Sequence, residues 1–223
     1  HIECSVMSKR YLGDEIDIHA GGEDLIFPHH ENEIAQSEAV NGVPFAKYWM
    51  HNAFLNIDNK KMSKSAGNFF TVRDIAKKYD LQVLRFFMLS AHYRSPLNFS
   101  ADLMEAAKNG LDRIRTCAKQ LNDLIADSNA SDEVSKQEKE MLNELQNFTT
   151  RFDEAMEDDF NTADAISVIF ELVKFININI KNISNRKVFE EFNNELSKLS
   201  DICGLILTQK EDILEEEIEN LIE

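Results

Sequence analysis

The sequence predicts an α/β unit over residues 1–70 followed by mainly α-helical structure to residue 223. Three observations carry that division. Short stretches of strand character, Asp17 to His19 and residues 48–57, flank one helix that starts near Pro28. Beyond Thr71 the apolar residues recur at spacings of three and four, as they do along one face of a helix. With 7 Gly and 3 Pro in 223 residues, little in that longer part would break helices.

Taken in order, Asp17 to His19 alternates as a strand would, and Gly21 and Gly22 permit a tight turn after it. Pro28 suits the first turn of a helix, where its missing N–H costs nothing. Ser100 is a plausible N-cap for a long amphipathic helix carrying Leu103, Ala107, Leu111, Ile114, Ala118, Leu121 and Ile125. Residues 126–132, polar and rich in Ser, Asn and Asp, read as a linker, and further helices follow over 163–183 and 186–207. The expected domains are 1–70, 71–127 and 128–223.

At 25.6 kDa and 43% hydrophobic residues the chain can bury a sizeable core. Its apolar runs are broken by charge or Asn within a few residues, so neither a secretory nor a transmembrane stretch is expected. Cys4, Cys117 and Cys203 are odd in number and far apart, which suits reduced thiols and a cytoplasmic location. Cys117 and Cys203 fall on apolar helical stripes and are expected in the core. Residues 1–100 carry 11 Lys/Arg and 12 Asp/Glu, whereas 101–223 carry 13 and 28. That acidic balance argues against a nucleic-acid partner, because phosphate contacts supply much of such affinity. The basic residues that could face one are few: Arg73, Lys77, Lys78, Arg85 and Arg94. The acidic runs 157–159 and 215–217 read as solvated faces.

Chemistry concentrates in two places. Lys60-Lys61-Met62-Ser63-Lys64-Ser65, followed by Ala66-Gly67-Asn68, sets mobile ammonium groups beside small hydroxyl residues and a glycine, which suits a polyphosphate. Upstream, His29 and Glu33 stand at i and i+4 on one face of the helix after Pro28. A nitrogen and a carboxylate so placed can chelate one cation, and the Cys4 thiolate would complete three ligands for a borderline-soft metal such as zinc.

Together these pieces resemble the cysteinyl-tRNA synthetase family of class I aminoacyl-tRNA synthetases. The resemblance rests on His1-Ile2-Glu3-Cys4-Ser5, Gly21-Gly22-Glu23-Asp24-Leu25, Phe27-Pro28-His29-His30-Glu31-Asn32-Glu33, Lys61-Met62-Ser63-Lys64-Ser65 and Asp159-Phe160-Asn161-Thr162-Ala163. It implies a partial Rossmann-type catalytic domain, then a stem-contact helical region and a helical bundle on the tRNA anticodon side. It also implies one zinc per chain on Cys4, His29 and Glu33, recognising the substrate thiol. The nucleotide site would hold Gly21, Gly22 and Asp24 against ribose, with Lys61, Met62, Ser63, Lys64 and Ser65 over the phosphates. Lys61 and Lys64 would be catalytic, and His19 would lie near the substrate cysteine. The implied partners are tRNA(Cys), cysteine and ATP with Mg2+, with no membrane and a monomeric chain.

One departure stands out. No His-Ile-Gly-His motif and no further early zinc-ligand cysteine occur in the sequence, so an internal fragment, inactive on its own, is expected. Two other readings stay open: a related cysteine ligase of mycothiol synthesis with an amino-sugar acceptor, and a non-catalytic module with a structural metal.

Overall fold

The computed structural model of the chain describes residues 1–57, 60–62, 70–128 and 133–208. They fall into two compact units, the described parts of His1–Phe69 with Tyr93–Phe99 and of Phe70–His92 with Ser100–Glu223.

The first unit is α/β. It runs α1 (Ile2–Leu12), β1 (Ile16–Gly22), a 3-10 turn (Glu23–Leu25), a wider helical turn (Ile26–His30) and α2 (Glu31–Asn41). It continues through β2 (Ala46–Asn52), β3 (Leu55–Ile57), β4 (Lys60–Lys61) and β5 (Leu97–Phe99). β1 and β2 are parallel, so the chain needs a crossover between them, and α2 provides it. Phe27 is extended (φ −132°, ψ 132°), Pro28 lies in the wider turn after it, and regular α-helix begins at Glu31, three residues later than the start at Pro28 that the sequence predicts. Gly42 closes α2 at φ 71°, a left-handed C-cap open to glycine at no steric cost.

Three expectations for this unit need correction. The expected strand over 48–57 is two strands in different sheets, β2 beside β1 and β3 between β4 and β5. The break at Ala53 and Phe54 carries no Gly or Pro; it arises because Ala53 N–H donates to Tyr93 O and Leu97 N–H to Phe54 O, at 2.9 and 3.1 Å. Helix α1 was not foreseen beside the helix after Pro28. Its apolar residues Ile2, Val6, Met7 and Tyr11 are all exposed, so it has no buried stripe to betray it. Finally, β5 lies inside the stretch expected to be helical; it is three residues long and owes its form to parallel pairing with β3.

The second unit is helical: α3 (Val72–Ile75), α4 (Leu81–Leu89), α5 (Ala101–Asp127), α6 (Lys136–Glu157), α7 (Thr162–Asn179) and α8 (Arg186–Ile202), with a 3-10 turn (Ile180–Asn182) after α7. Side chains cap every one of these helices at the N-terminus: Thr71, Asp80, Ser100, Ser135, Asn161 and Asn185. Of the stripe predicted for α5, Ala107, Leu111, Ile114, Ala118 and Leu121 are buried, but Leu103 is exposed and Met104 beside it takes the buried place. Phe152, Ile169, Leu172, Phe192 and Leu196 complete the same core. Helix α8 ends at Ile202, short of the expected 207, because Gly204 turns the backbone at φ 65°. The expected linker overlaps α5, which continues to Asp127, and residues 129–132 lie outside the described residues. Cys117 and Cys203 are buried as expected, and burial pushes their thiols up to about 12 and about 11.

A buried carboxylate fastens this bundle. Glu138, 2% exposed, closes the capping box with Ser135, and its Oε1 also accepts the N–H groups of Ser184 and Asn185 at 3.0 and 3.1 Å. Burial alone would raise its pKa, but those amides outweigh burial and hold it at about 2. Among the described residues no helix is long and apolar enough to cross a membrane.

Candidate active and metal site

Period-two geometry puts His19 and Gly21 of β1 on the same face as Trp49 and His51 of β2, since His19 pairs with Trp49 and Gly21 with His51. The turn after β1 and the start of α2 lie along that face. Helix α1 lies beside α2, where Ser5 Oγ donates to Gln36 Oε1 at 3.3 Å and Lys9 bonds Asn41. Cys4, in the first turn of α1, is thereby brought to Glu33.

Glu33 is the centre of the site. It is 1% exposed, with His29 Nε2 2.9 Å from Oε1 and His19 Nε2 2.7 Å from Oε2. Neither oxygen has an aligned hydrogen-bond partner among the described residues. A buried carboxylate in that condition costs several kcal/mol unless a cation compensates it. The ligand atoms of Cys4, His29 and Glu33 all lie within 4.8 Å of one another. Sulfur, imidazole nitrogen and carboxylate oxygen around one point fit a borderline-soft divalent cation. Burial and the facing Glu33 carboxylate push the Cys4 thiol pKa up.

A second trio, His19, His30 and Glu33, meets the same distance limit. Here His30 Nδ1 already lies 2.8 Å from His51 Nε2. His30 is 4% exposed, and burial first, then the neighbouring His19, lowers its pKa, so the ring is neutral near pH 7. Trp49 completes the wall, in edge contact with His19 at 4.7 Å between ring centroids and stacked on His51 at 6.0 Å.

Gly21 and Gly22, read from the sequence as a tight turn, instead close β1 in register with His51 and Asn52, and they sit where side chains would collide. A Cβ on Gly21 would stand 2.8 Å from His30 Cε1, and one on Gly22 would stand 2.5 Å from Asp24 Oδ1. The His30 ring therefore packs on the backbone of Gly21 and the Asp24 carboxylate on that of Gly22.

Cys4, His19, Gly21, Gly22, Asp24, His29 and Glu33 are thus gathered in one unit. Lys60 and Lys61, read from sequence as loop residues, instead form β4 antiparallel to β3; Met62 N–H follows, donating to Leu55 O at 3.2 Å. Ser63, Lys64 and Ser65 lie outside the described residues. Of the basic residues, Lys77 pairs with Asp74 at 3.0 Å, Arg85 lies against Gly204, and Arg94 lies 5.5 Å from the Tyr93 ring centre. The segment 159–162 is a tight reversal between α6 and α7, with Asp159 and Phe160 at φ 54° and 56° and Asn161 capping α7. Sequence reasoning missed His30, His51 and Trp49. The alternation Trp49-Met50-His51 was the available signal, but it points to this face only once the β1–β2 register is known.

A family profile described as the tRNA synthetases class I (C) catalytic domain matches residues 1–109, and one described as the DALR domain matches residues 151–208. Among curated relatives, the cysteine--tRNA ligase of Lachnospira eligens is 64% identical over all 223 residues, which are 47% of its length. That of Lachnoclostridium phytofermentans is 57% identical, again over the whole chain and 48% of its own length. The chain therefore spans about half the length of the curated relatives it matches. Two solved structures share the fold at 16% identity. They are a leucyl-tRNA synthetase–tRNA complex from Agrobacterium radiobacter (TM-score 0.64, 84% of this chain and 27% of that one) and a Mycobacterium tuberculosis methionyl-tRNA synthetase with methionyl-adenylate (TM-score 0.62, 84% and 40%). With the catalytic and DALR profiles matched in order and relatives at this identity along its whole length, the chain belongs to the class I aminoacyl-tRNA synthetases, in the cysteine--tRNA ligase family.

Proposed function

We propose that this chain carries the thiol-recognition and nucleotide-turn part of a cysteine--tRNA ligase, which activates cysteine with ATP and transfers it to tRNA(Cys). The observation that carries the reading is the meeting of Cys4, His29 and a buried Glu33 whose oxygens lack aligned donors. These three residues would hold a zinc ion, which when bound supplies a site that prefers the soft, acidic thiol of cysteine to the hydroxyl of serine. Such selection would go well beyond the 1 to 3 kcal/mol, roughly, that an apolar pocket offers between near-isosteres. His19, whose Nε2 lies 2.7 Å from Glu33 Oε2, borders the amino-acid pocket. Gly21, Gly22 and Asp24 would lie against the ribose of ATP, glycine at both positions leaving room for His30 and Asp24 to pack on the backbone. The carboxylate oxygen of cysteine bonds to the α-phosphorus as pyrophosphate leaves, and charge builds on phosphate oxygens. Lys61 and Lys64 would offset that charge. The helical region that matches the DALR domain supports a tRNA acceptor over an amino sugar.

The test is pyrophosphate exchange into ATP by a ligase in which this chain replaces the matching region of the Lachnospira eligens relative. Exchange that depends on cysteine, and rejects serine, is expected. Exchange indifferent to the amino acid, or absent from a folded chimera, would overturn the reading.

A further inference from the structure

We propose that His51 is a positioning residue that acts through His30 to hold the Gly21–Gly22 end of β1, and the turn that follows it, in place for the nucleotide. The inference rests on the ligase reading above and goes beyond it, to a residue outside the metal trio and the phosphate loop.

Three observations converge. In the β1–β2 register Gly21 and His51 are direct neighbours, so His51 is fixed to the strand position beside the turn. His30 lies in the helix start between His29 and Glu33, and its Nδ1 meets His51 Nε2 at 2.8 Å in a bond that uses one N–H and one lone pair. The same Nδ1–Cε1–Nε2 edge of the His30 ring fills the space a side chain at Gly21 would need: a Cβ there would lie 2.8 Å from Cε1 and 3.0 Å from Nε2. The His51 ring thus holds the imidazole with one edge against Gly21, a clamp on the end of β1. His51 in turn stacks on Trp49 with the ring planes 8° apart, which fixes its own orientation.

A clamp of this form does specific work. If the His30 ring swings away, the face of Gly21 loses its backing and the turn through Asp24 can relax, while Cys4, His29 and Glu33 keep their places. The expected defect is therefore in ATP binding, with thiol recognition spared. A residue that merely fills the core would damage both.

The experiment uses the same chimeric ligase and three variants. His51→Phe keeps a ring against Trp49 but removes the bond to His30. His51→Gln can remake that bond through its amide, and Gly21→Ala attacks the clamp from the other side. The expected result is that His51→Phe and Gly21→Ala raise the KM for ATP about tenfold or more in cysteine-dependent exchange. The KM for cysteine and the bound zinc per chain stay within about twofold, and His51→Gln returns the ATP KM to within about threefold of the parent. Parallel losses for ATP, cysteine and zinc, an unchanged ATP KM, or a Gln variant no better than Phe would each overturn the assignment. If His51→Phe does not fold, Gly21→Ala and His51→Gln decide alone, by the same split between ATP and cysteine. A parent chimera without cysteine-dependent exchange would instead overturn the ligase reading.

Discussion

At the scale of single residues, Glu33 organises the site, and its neighbours can be separated by what each should cost. Cys4→Ser replaces the one soft ligand by a hard, weakly acidic oxygen. The expected outcome is at least about a hundredfold loss of zinc affinity by competition with a chromophoric chelator, with the circular dichroism spectrum unchanged. Lys64→Ala in the chimeric ligase should act differently. Its charge is wanted as pyrophosphate leaves, so the rate of adenylate formation should fall about a hundredfold or more while cysteine binding changes little; equal losses in both would contradict that role. The trio Cys4, His29 and Glu33 was legible in the sequence because i, i+4 spacing and ligand type survive without coordinates. His51 was not legible, because its meaning depends on the register that sets it beside Gly21.

At the scale of elements, helix starts carry much of the second unit. Glu138 is the strongest case. Its pKa of about 2, against 4.5 for the free group, corresponds to about 3 kcal/mol of stability. Because the folded value is depressed, that contribution is present above about pH 4.5 and fades as pH falls toward 2. Glu138→Gln should lower stability by about 3 kcal/mol at pH 7, read by urea unfolding, and the gap between variant and parent should close toward pH 2. In α5, Leu111→Ala removes a fully buried side chain and should cost about 2 to 5 kcal/mol in the same assay. The helices of this unit were readable because caps and three-four spacing are local signals. The strands of the first unit were harder. The pairing of β3 with β5, some forty residues apart, is set by contacts that no short window contains, and α1 lacks a buried stripe.

At the scale of the whole chain, charge sets how nucleic acid can be met. Net charge is −16, nearly all of it from residues 101–223, so any tRNA contact must come from scattered cations against an unfavourable field. Arg73, Lys78, Arg85 and Arg94, with Lys77 partly committed to Asp74, are the cations the sequence reading assigns to phosphate neutralisation. For this chain the slope of log affinity for tRNA against log salt should be no steeper than about −4; a steeper slope by filter binding would mean that a basic surface has been overlooked. The same balance explains why composition points away from a nucleic-acid partner while the motifs point toward one. Composition averages over a long acidic bundle, whereas the chemistry resides in some thirty residues of the first unit.

The central claim, that Cys4, His29 and Glu33 form one metal centre that takes up a thiol, is tested most directly by titrating the chain with cobalt(II) and following thiolate-to-cobalt absorption. The expected result is one equivalent bound, a band lost in Cys4→Ser, and a gain in intensity on adding cysteine that serine does not produce. A titration with no thiolate band, or a band that persists in Cys4→Ser, would contradict the claim.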